Sequence, residues 1–352
     1  ARDSGEDLQE EAGDMSSHLG SIVESNPIGS GYLQFESRSP GESTELVKFE
    51  EFYDEPAQLD SVTFNVIPET GARIAEIETG NADVINGIGT ENLDRVENTD
   101  GVTLEAIESN LVEYIGINTQ NEPLDDPLVR QALSHALDRE TVIEGIFNGS
   151  GRPAQGILPP GMLGYDEDLE GYGYDMERAQ ELLDEAGYSD GFDLSIAVND
   201  ESDERIDMAI YLQESLEELD INLNIEQMEW GAFLEATGNG EYDMFTYSWN
   251  NSTADPDNAI VPLLHSDYVG MDGNRSFMEN DELDEMLNAG RREADEETRG
   301  QIYTDAQEFI NEQAPMILVR YGENFTAYND NVNDVVLTEN GLYDFVNTTI
   351  EE

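Results

Sequence analysis

Apolar residues recur along this chain with two spacings, and the points where one gives way to the other mark its elements. In "GYLQFESR" and "TELVKFEEFY" they fall at alternate positions around the turn "SPGES", which predicts a hairpin, and the β-branched run "DSVTFNVIP" predicts a third strand. "TGARIAEIETG" shifts to a spacing of three and four, a helix stopped near Gly80, and a short strand follows over 82–85. "VEYIGINT" reads as a strand. "DDPLVRQALSHALDRETVIEGIFNG" reads as two helices, the first with Pro127 near its start and Leu128, Val129, Ala132, Leu133, Ala136 and Leu137 on one face, the second over 138–147 and stopped by Gly149. Beyond the Gly- and Pro-rich "GSGRPAQGILPPGMLGYD", helices at 175–186, 204–218 and 230–237 alternate with strands at 192–198, 221–226 and 242–248. Such alternation predicts an α/β layer arrangement. Helices are expected at 280–291 and 295–313, with "MILVRY" and "FTAYND" as strands, and "DLQEEAGDMSSHL" near the start has a helical pattern.

With 352 residues and 38% apolar content, the chain has material for about two domains. Charge changes the picture. Asp and Glu number 80 against 15 for Lys and Arg, the formal charge is −65, and Lys48 is the only lysine. An acidic disordered tail would leave stretches poor in apolar residues, and a local cation site would concentrate its charge. Here acids are spread through patterned apolar runs, which points to adaptation to a high-salt medium. Self-repulsion opposes compaction in dilute buffer, and molar salt shortens the screening length to about 3 Å. Cooperative folding in molar salt and loss of structure on dilution are expected. Nucleic acid is excluded as a partner, because binding it needs clustered positive charge. There are no cysteines, hence no disulfide or thiolate chemistry, and no run of about 18 apolar residues. The opening "ARDSGEDLQE" lacks a basic and an apolar segment, so no export signal is visible; either it was removed or the chain's true start lies upstream.

Candidate chemistry centres on "YSWNNSTADPDN" (247–258), where an alternating strand runs into an indole, amides, hydroxyls and two acids without a base. No GxSxG, HExxH, P-loop or dinucleotide fingerprint is present. Paired carboxylates occur by chance among 80 acids, so an acid-pair hydrolase is a weak alternative. His18, His135 and His265 lack metal-ligand spacing, which leaves them structural or surface roles.

"NPIGSGYLQFESRSPGESTELVKFEEFYDEPAQLDSVTFNVIPETGARIAEIETGNADVINGI", "YIGINTQNEPLDDPLVRQALSHALDRETVIEGIFNGSGRPAQGILPPG", "YDMERAQELLDEAGY" and "DPDNAIVPLLHSD" together resemble the peptide/nickel-type (family 5) extracellular solute-binding proteins of ABC importers, here one from a halophilic archaeon. The resemblance implies an α/β fold of the periplasmic-binding-protein-like type II, two lobes joined by hinge strands, with the first lobe incomplete and the N-terminal third missing. Residues 1–115 would be the partial first lobe, 116–324 the second, and 325–352 a return to the first, with "GINTQ" and "LVRYG" as hinge crossings. It further implies a cell-surface receptor, monomeric and without cofactor or metal, that closes an interlobe cleft around an oligopeptide or similar solute and delivers it to a membrane permease. Oligosaccharide or metal-chelate binding, or a truncated lobe that binds nothing, are the alternatives.

In that family the loop after the strand at 242–248 faces ligand, which implicates Trp249, Asn250, Asn251, Ser252 and Asp255; from the first lobe Asn86 and Gly87 are implicated, and from the hinge Asn118. Peptide-binding members carry an Asp three residues beyond the Trp, paired with the ligand's α-ammonium group, and Ser252 stands there instead. Dipeptide-binding members hold the ligand carboxylate with an Arg in the loop corresponding to 199–205, where only Arg205 is available, displaced towards the next helix. Both departures favour a ligand that is neutral or held through its backbone. Tyr114 is expected in the core.

Overall fold

The computed structural model describes residues 27–351, so the expected helix in "DLQEEAGDMSSHL" and His18 lie outside the described residues. The chain forms two compact units. One contains residues 27–105, Phe325–Thr338 and 342–351; the other contains Ala106–Asn324 and Glu339–Gly341.

In the first unit, β1 (Leu33–Ser39), β2 (Ser43–Lys48) and β3 (Ser61–Asn65) form an antiparallel sheet in that order. The hairpin and the third strand therefore stand where alternation predicts them. Helix α1 (Thr70–Glu78) follows, then β4 (Val84–Asn86) and the short α2 (Leu93–Glu97). The three- and four-residue spacing of "ARIAEIE" turns Ile74 and Ile77 inward, where they pack with Ile85, Ile88, Val96 and Ala327. Ala327 comes from β10 (Met316–Asn329), whose last residues pair antiparallel with β4, Thr326 opposite Asn86. The unit also contains the two-stranded pairs β11 (Val332–Asn333) with β14 (Thr349–Ile350) and β12 (Val336–Leu337) with β13 (Tyr343–Asp344).

The second unit is built on a sheet in the order β10, β5 (Val102–Ile117), β9 (Met244–Asn250), β7 (Asp193–Asn199), β8 (Asn222–Met228), with β6 (Arg152–Pro153) paired to β10. Strands β5 and β9 run antiparallel, whereas β7 is parallel to both β8 and β9. Alternation along β5 and β9 separates two cores. Ile115, Ile117 and Met244 pack with residues of α3 (Pro127–His135), α4 (Arg139–Ile146), α5 (Met176–Ala186) and α6 (Asp203–Glu217). Val112, Tyr114 and Phe245 pack with residues of α7 (Trp230–Gly238), α8 (Pro256–Leu264), α9 (Asp281–Gly290) and α10 (Glu296–Gln313). A sheet buried on both faces by helices is the layer arrangement that the alternating pattern predicts.

Helix starts show one use of the acidic composition. Asp126, Asp138, Asp175 and Asp295 each stand at an N-cap and accept from a first-turn N–H, which satisfies an otherwise orphaned donor and sets negative charge at the positive end of the helix dipole. Arginine plays the opposite part inside. Arg130 donates to the Gln313 and Leu124 carbonyls, and Arg139 to the carbonyls of Leu318, Ser134, Leu137 and Tyr172. Burial brings both guanidiniums down to about 10.

Three features differ from the expectation. Strand β5 is longer than the apolar run that announced it, and the expected strands "MILVRY" and "FTAYND" are joined through residues 322–324 into the single β10. The compact units consequently divide inside continuous strands, at Glu105/Ala106 and Asn324/Phe325, and the first of these precedes the expected change at 115/116. The helix α8 was not expected; Asp255 caps it and Pro256 occupies its first position, where a missing N–H costs nothing. No helix among the described residues is long and apolar enough to cross a membrane.

Candidate functional site

The register of β5 against β9 decides which side chains share a face. Glu113 lies opposite Ser248 and Leu111 opposite Asn250 on one face; Tyr114 opposite Tyr247 and Val112 opposite Trp249 lie on the other. The stretch "YSWN" is thereby split. Tyr247 and Trp249 turn toward the second core, and the Trp249 indole N–H donates to the Asn258 carbonyl at 2.9 Å, tying the first turn of α8 to the strand.

The polar run that follows is a built turn. Asn251, 1% exposed, donates to the Asp255 carbonyl at 2.6 Å and accepts from the Thr253 N–H and hydroxyl, both at 3.1 Å. Its own N–H extends the ladder to the Asn110 carbonyl at 3.1 Å. Asp255 accepts from the Asp257 N–H at 2.8 Å and takes both arms of Arg299 at 2.9 and 2.7 Å, and hydrogen bonding from Arg299 holds its carboxyl below the usual carboxylate range. Its carboxylate is thus committed to the fold. Asn250 and Ser252 are exposed, and the Ser252 carbonyl accepts from the Asn340 amide at 3.1 Å.

Asn118 is not brought to this turn. It follows Ile117, which pairs with Met244 at the far end of the ladder, and its side chain binds the Gly240 carbonyl and the Gln120 N–H. In the first unit Asn86 and Gly87 are exposed, but their carbonyls both accept from Arg73, at 3.2 and 2.6 Å, and Gly87 adopts φ 62°. The pair forms an arginine-held turn.

The face shared by Glu113, Ser248 and Asn250 carries a charged cluster of which the sequence pattern pointed only to Arg205. That residue stands in the first turn of α6 and donates to the Ser248 hydroxyl at 2.6 Å. Its Nε lies 3.7 Å from Glu113 Oε2, an ion pair too long for a hydrogen bond. Glu113 is 7% exposed; burial pushes its carboxyl up, against the pull of Arg205 and Arg320. Arg320 on β10, 8% exposed, stacks its guanidinium over Phe147 at 3.7 Å and donates to the Ser150 carbonyl at 2.8 Å. Glu323 accepts from the Ser150 hydroxyl and the Gly151 N–H. Glu113 Oε2, Arg320 Nε and Asn199 Nδ2 are buried without a hydrogen-bond partner. A separate cavity of about 100 Å³ is lined by Arg152, Glu108, Tyr321 and Glu323 among others, and Arg152 pairs with Glu108 at 3.3 Å. The signal available in the sequence was scarcity: in so acidic a chain, each arginine in or next to a strand marks a place where the fold needs a cation.

His135 and His265 serve packing and hydrogen bonding. His135 Nδ1 meets the Gly173 carbonyl at 2.8 Å, and His265 accepts from the Asp267 N–H at 3.0 Å.

Residues 16–270 match the model of the bacterial extracellular solute-binding proteins, family 5 middle. The chain is 28% identical over 335 residues to the heme-binding protein A of Haemophilus influenzae, covering 94% of this chain and 61% of that one. It is 26% identical over 330 residues to the dipeptide-binding protein of Escherichia coli, covering 93% and 62%. The solved structure of an ABC transporter-associated periplasmic binding protein from Helicobacter pylori, in complex with the peptide STSA, matches with a TM-score of 0.78 at 27% identity, covering 96% of this chain and 67% of that one. The chain therefore spans about three-fifths of the length of the curated relatives it matches.

Proposed function

Since the chain belongs to the family 5 bacterial extracellular solute-binding proteins, with the mixed α/β fold of type II periplasmic binding proteins, we propose that it captures a peptide-like solute and releases it unchanged to a membrane permease. It would do so outside the cell, as a monomer, in a high-salt medium. The observation that carries this reading is one face of the β5/β9 ladder, where Arg205 donates to Ser248, Arg205 and Arg320 both act on Glu113, and the exposed Asn250 lies on the same face. Guanidiniums next to unpaired hydrogen-bonding groups suit the carboxylates and amides of peptides. Trp249, Asn251 and Asp255 hold the turn, and Asn250 and Ser252 offer exposed side chains to a ligand. Capture needs no general base or nucleophile.

The test is thermal melting of the chain in molar KCl with di- and tripeptides, and with heme, the ligand named for the H. influenzae relative, as a competing class. A peptide present at about a hundred times its Kd stabilises by about 2.7 kcal/mol and raises Tm accordingly. Unchanged melting with every peptide rejects the reading.

A further inference from the structure

We propose that Glu113, Arg205 and Arg320 form a proton-linked site for a ligand carboxylate, in which capture of the anion is accompanied by uptake of a proton at Glu113. The inference deepens, and rests on, the reading of the chain as a binder of peptide-like solutes.

The charged groups around Glu113 come from a few elements. Helix α6 supplies Arg205 and Glu204, and β10 supplies Arg320, which itself faces Glu204 and Glu323. Strand β9 supplies only the Ser248 hydroxyl opposite Glu113, and the last residue of β7 is the uncharged Asn199. Two guanidiniums thus serve three carboxylates, and the site is already one negative charge in excess. A ligand carboxylate seated on Arg205 or Arg320 deepens that excess inside a region of low dielectric, and protonating one resident carboxylate relieves it.

Glu113 is the group placed to take the proton. Glu323 accepts hydrogen bonds from the Ser150 hydroxyl and the Gly151 N–H, and Glu204 is only partly buried. Glu113 has neither advantage. Its Oε2 is buried with no donor in hydrogen-bond range, and its nearest cation, Arg205, sits at 3.7 Å while donating to Ser248. Burial already favours its neutral form. Meanwhile Arg320 Nε is a buried donor without an acceptor, and a carboxylate brings what it lacks. Before the ligand arrives, Glu113 is the counter-charge of Arg205; afterwards the ligand assumes that role, and Glu113 keeps a proton taken from solvent.

Linkage fixes the direction of the effect. Anion binding raises the Glu113 pKa further, so affinity for a carboxylate is full below the free-state value and falls as pH rises through it, by at most about tenfold per pH unit. A ligand with an amide in place of the carboxylate lacks this dependence.

Calorimetric titration of the whole chain in molar KCl, between about pH 5 and 7 and in two buffers of different ionisation enthalpy, reads the proton directly. Alanyl-alanine should take up a fraction of a proton approaching about one, and alanyl-alaninamide none. Glu113→Gln, checked for native circular dichroism, should bind alanyl-alanine without uptake and lose its pH dependence. Binding of alanyl-alanine by the unmodified chain with no proton uptake at any pH overturns the proposal and leaves the peptide reading intact. Absence of binding by both dipeptides overturns the two together.

Discussion

Ser252 and Asp255 lie three residues apart in one turn and have different duties. Ser252 presents an exposed hydroxyl where peptide-binding relatives are expected to carry an acid. Ser252→Asp should therefore strengthen binding of peptides with a free α-ammonium group over N-acetylated ones by roughly tenfold, a charge-assisted hydrogen bond being worth about 1.5–3 kcal/mol. Equal affinities for the two peptide classes in the variant would show that this turn does not meet the ligand's amino end. Asp255 is a structural acid. Asp255→Ala removes a helix cap and should cost about 1 kcal/mol in denaturant unfolding, with ligand selectivity unchanged. The pH dependence of its contribution follows from its lowered carboxyl pKa, caused first by Arg299. Stability from Asp255 is present above the unfolded value of about 3.9 and is lost as pH falls through the lower folded value. Acid titration of the Asp255→Asn variant should accordingly lack part of that loss.

Within β5, Gly116 shows how a strand can depend on what it omits. It stands opposite Phe245, and a Cβ built there would run into the phenyl ring. Gly116→Ala overpacks this contact and should cost about 1–3 kcal/mol, read as a lower denaturant midpoint at unchanged m-value. The same elements show which features could be read from the chain. Strong periodicity and Pro or Gly punctuation located the helices α3 to α7, α9 and α10 and the strands β7 to β9, since burial on one or both faces leaves an apolar imprint. The first half of β5 leaves a weaker one, Val102 and Leu104 packing beside the core of the first unit among exposed polar positions. Helix α8 was hidden by its two prolines, although the capped Asp-Pro start is itself a helix signal. The candidate site was legible in Arg205 and in the loop beginning at Trp249. Glu113 and Arg320 were not, for their meeting depends on strand register and on pairings between segments far apart in sequence.

Over the whole molecule, a formal charge of −65 outweighs every local ion pair. Caps such as Asp126 and Asp138 use a few of these acids, but with 80 acids to 15 lysines and arginines most must face solvent ions rather than a cation of the chain. Far-ultraviolet circular dichroism followed during dilution from molar to millimolar KCl should report cooperative loss of structure, and a spectrum unaltered by dilution would contradict the account of the surface.

The buried arginines bear on how that loss proceeds. Arg130 and Arg139 each fasten segments well separated along the chain, and they do so through peptide oxygens whose ability to accept a proton does not vary with ionic strength. These rivets should remain closed while brine is withdrawn and the exterior begins to swell. A lysine has a single point of attachment and cannot span the same oxygens, which gives a mechanical reason for a chain this poor in cations to have kept arginine at its joints.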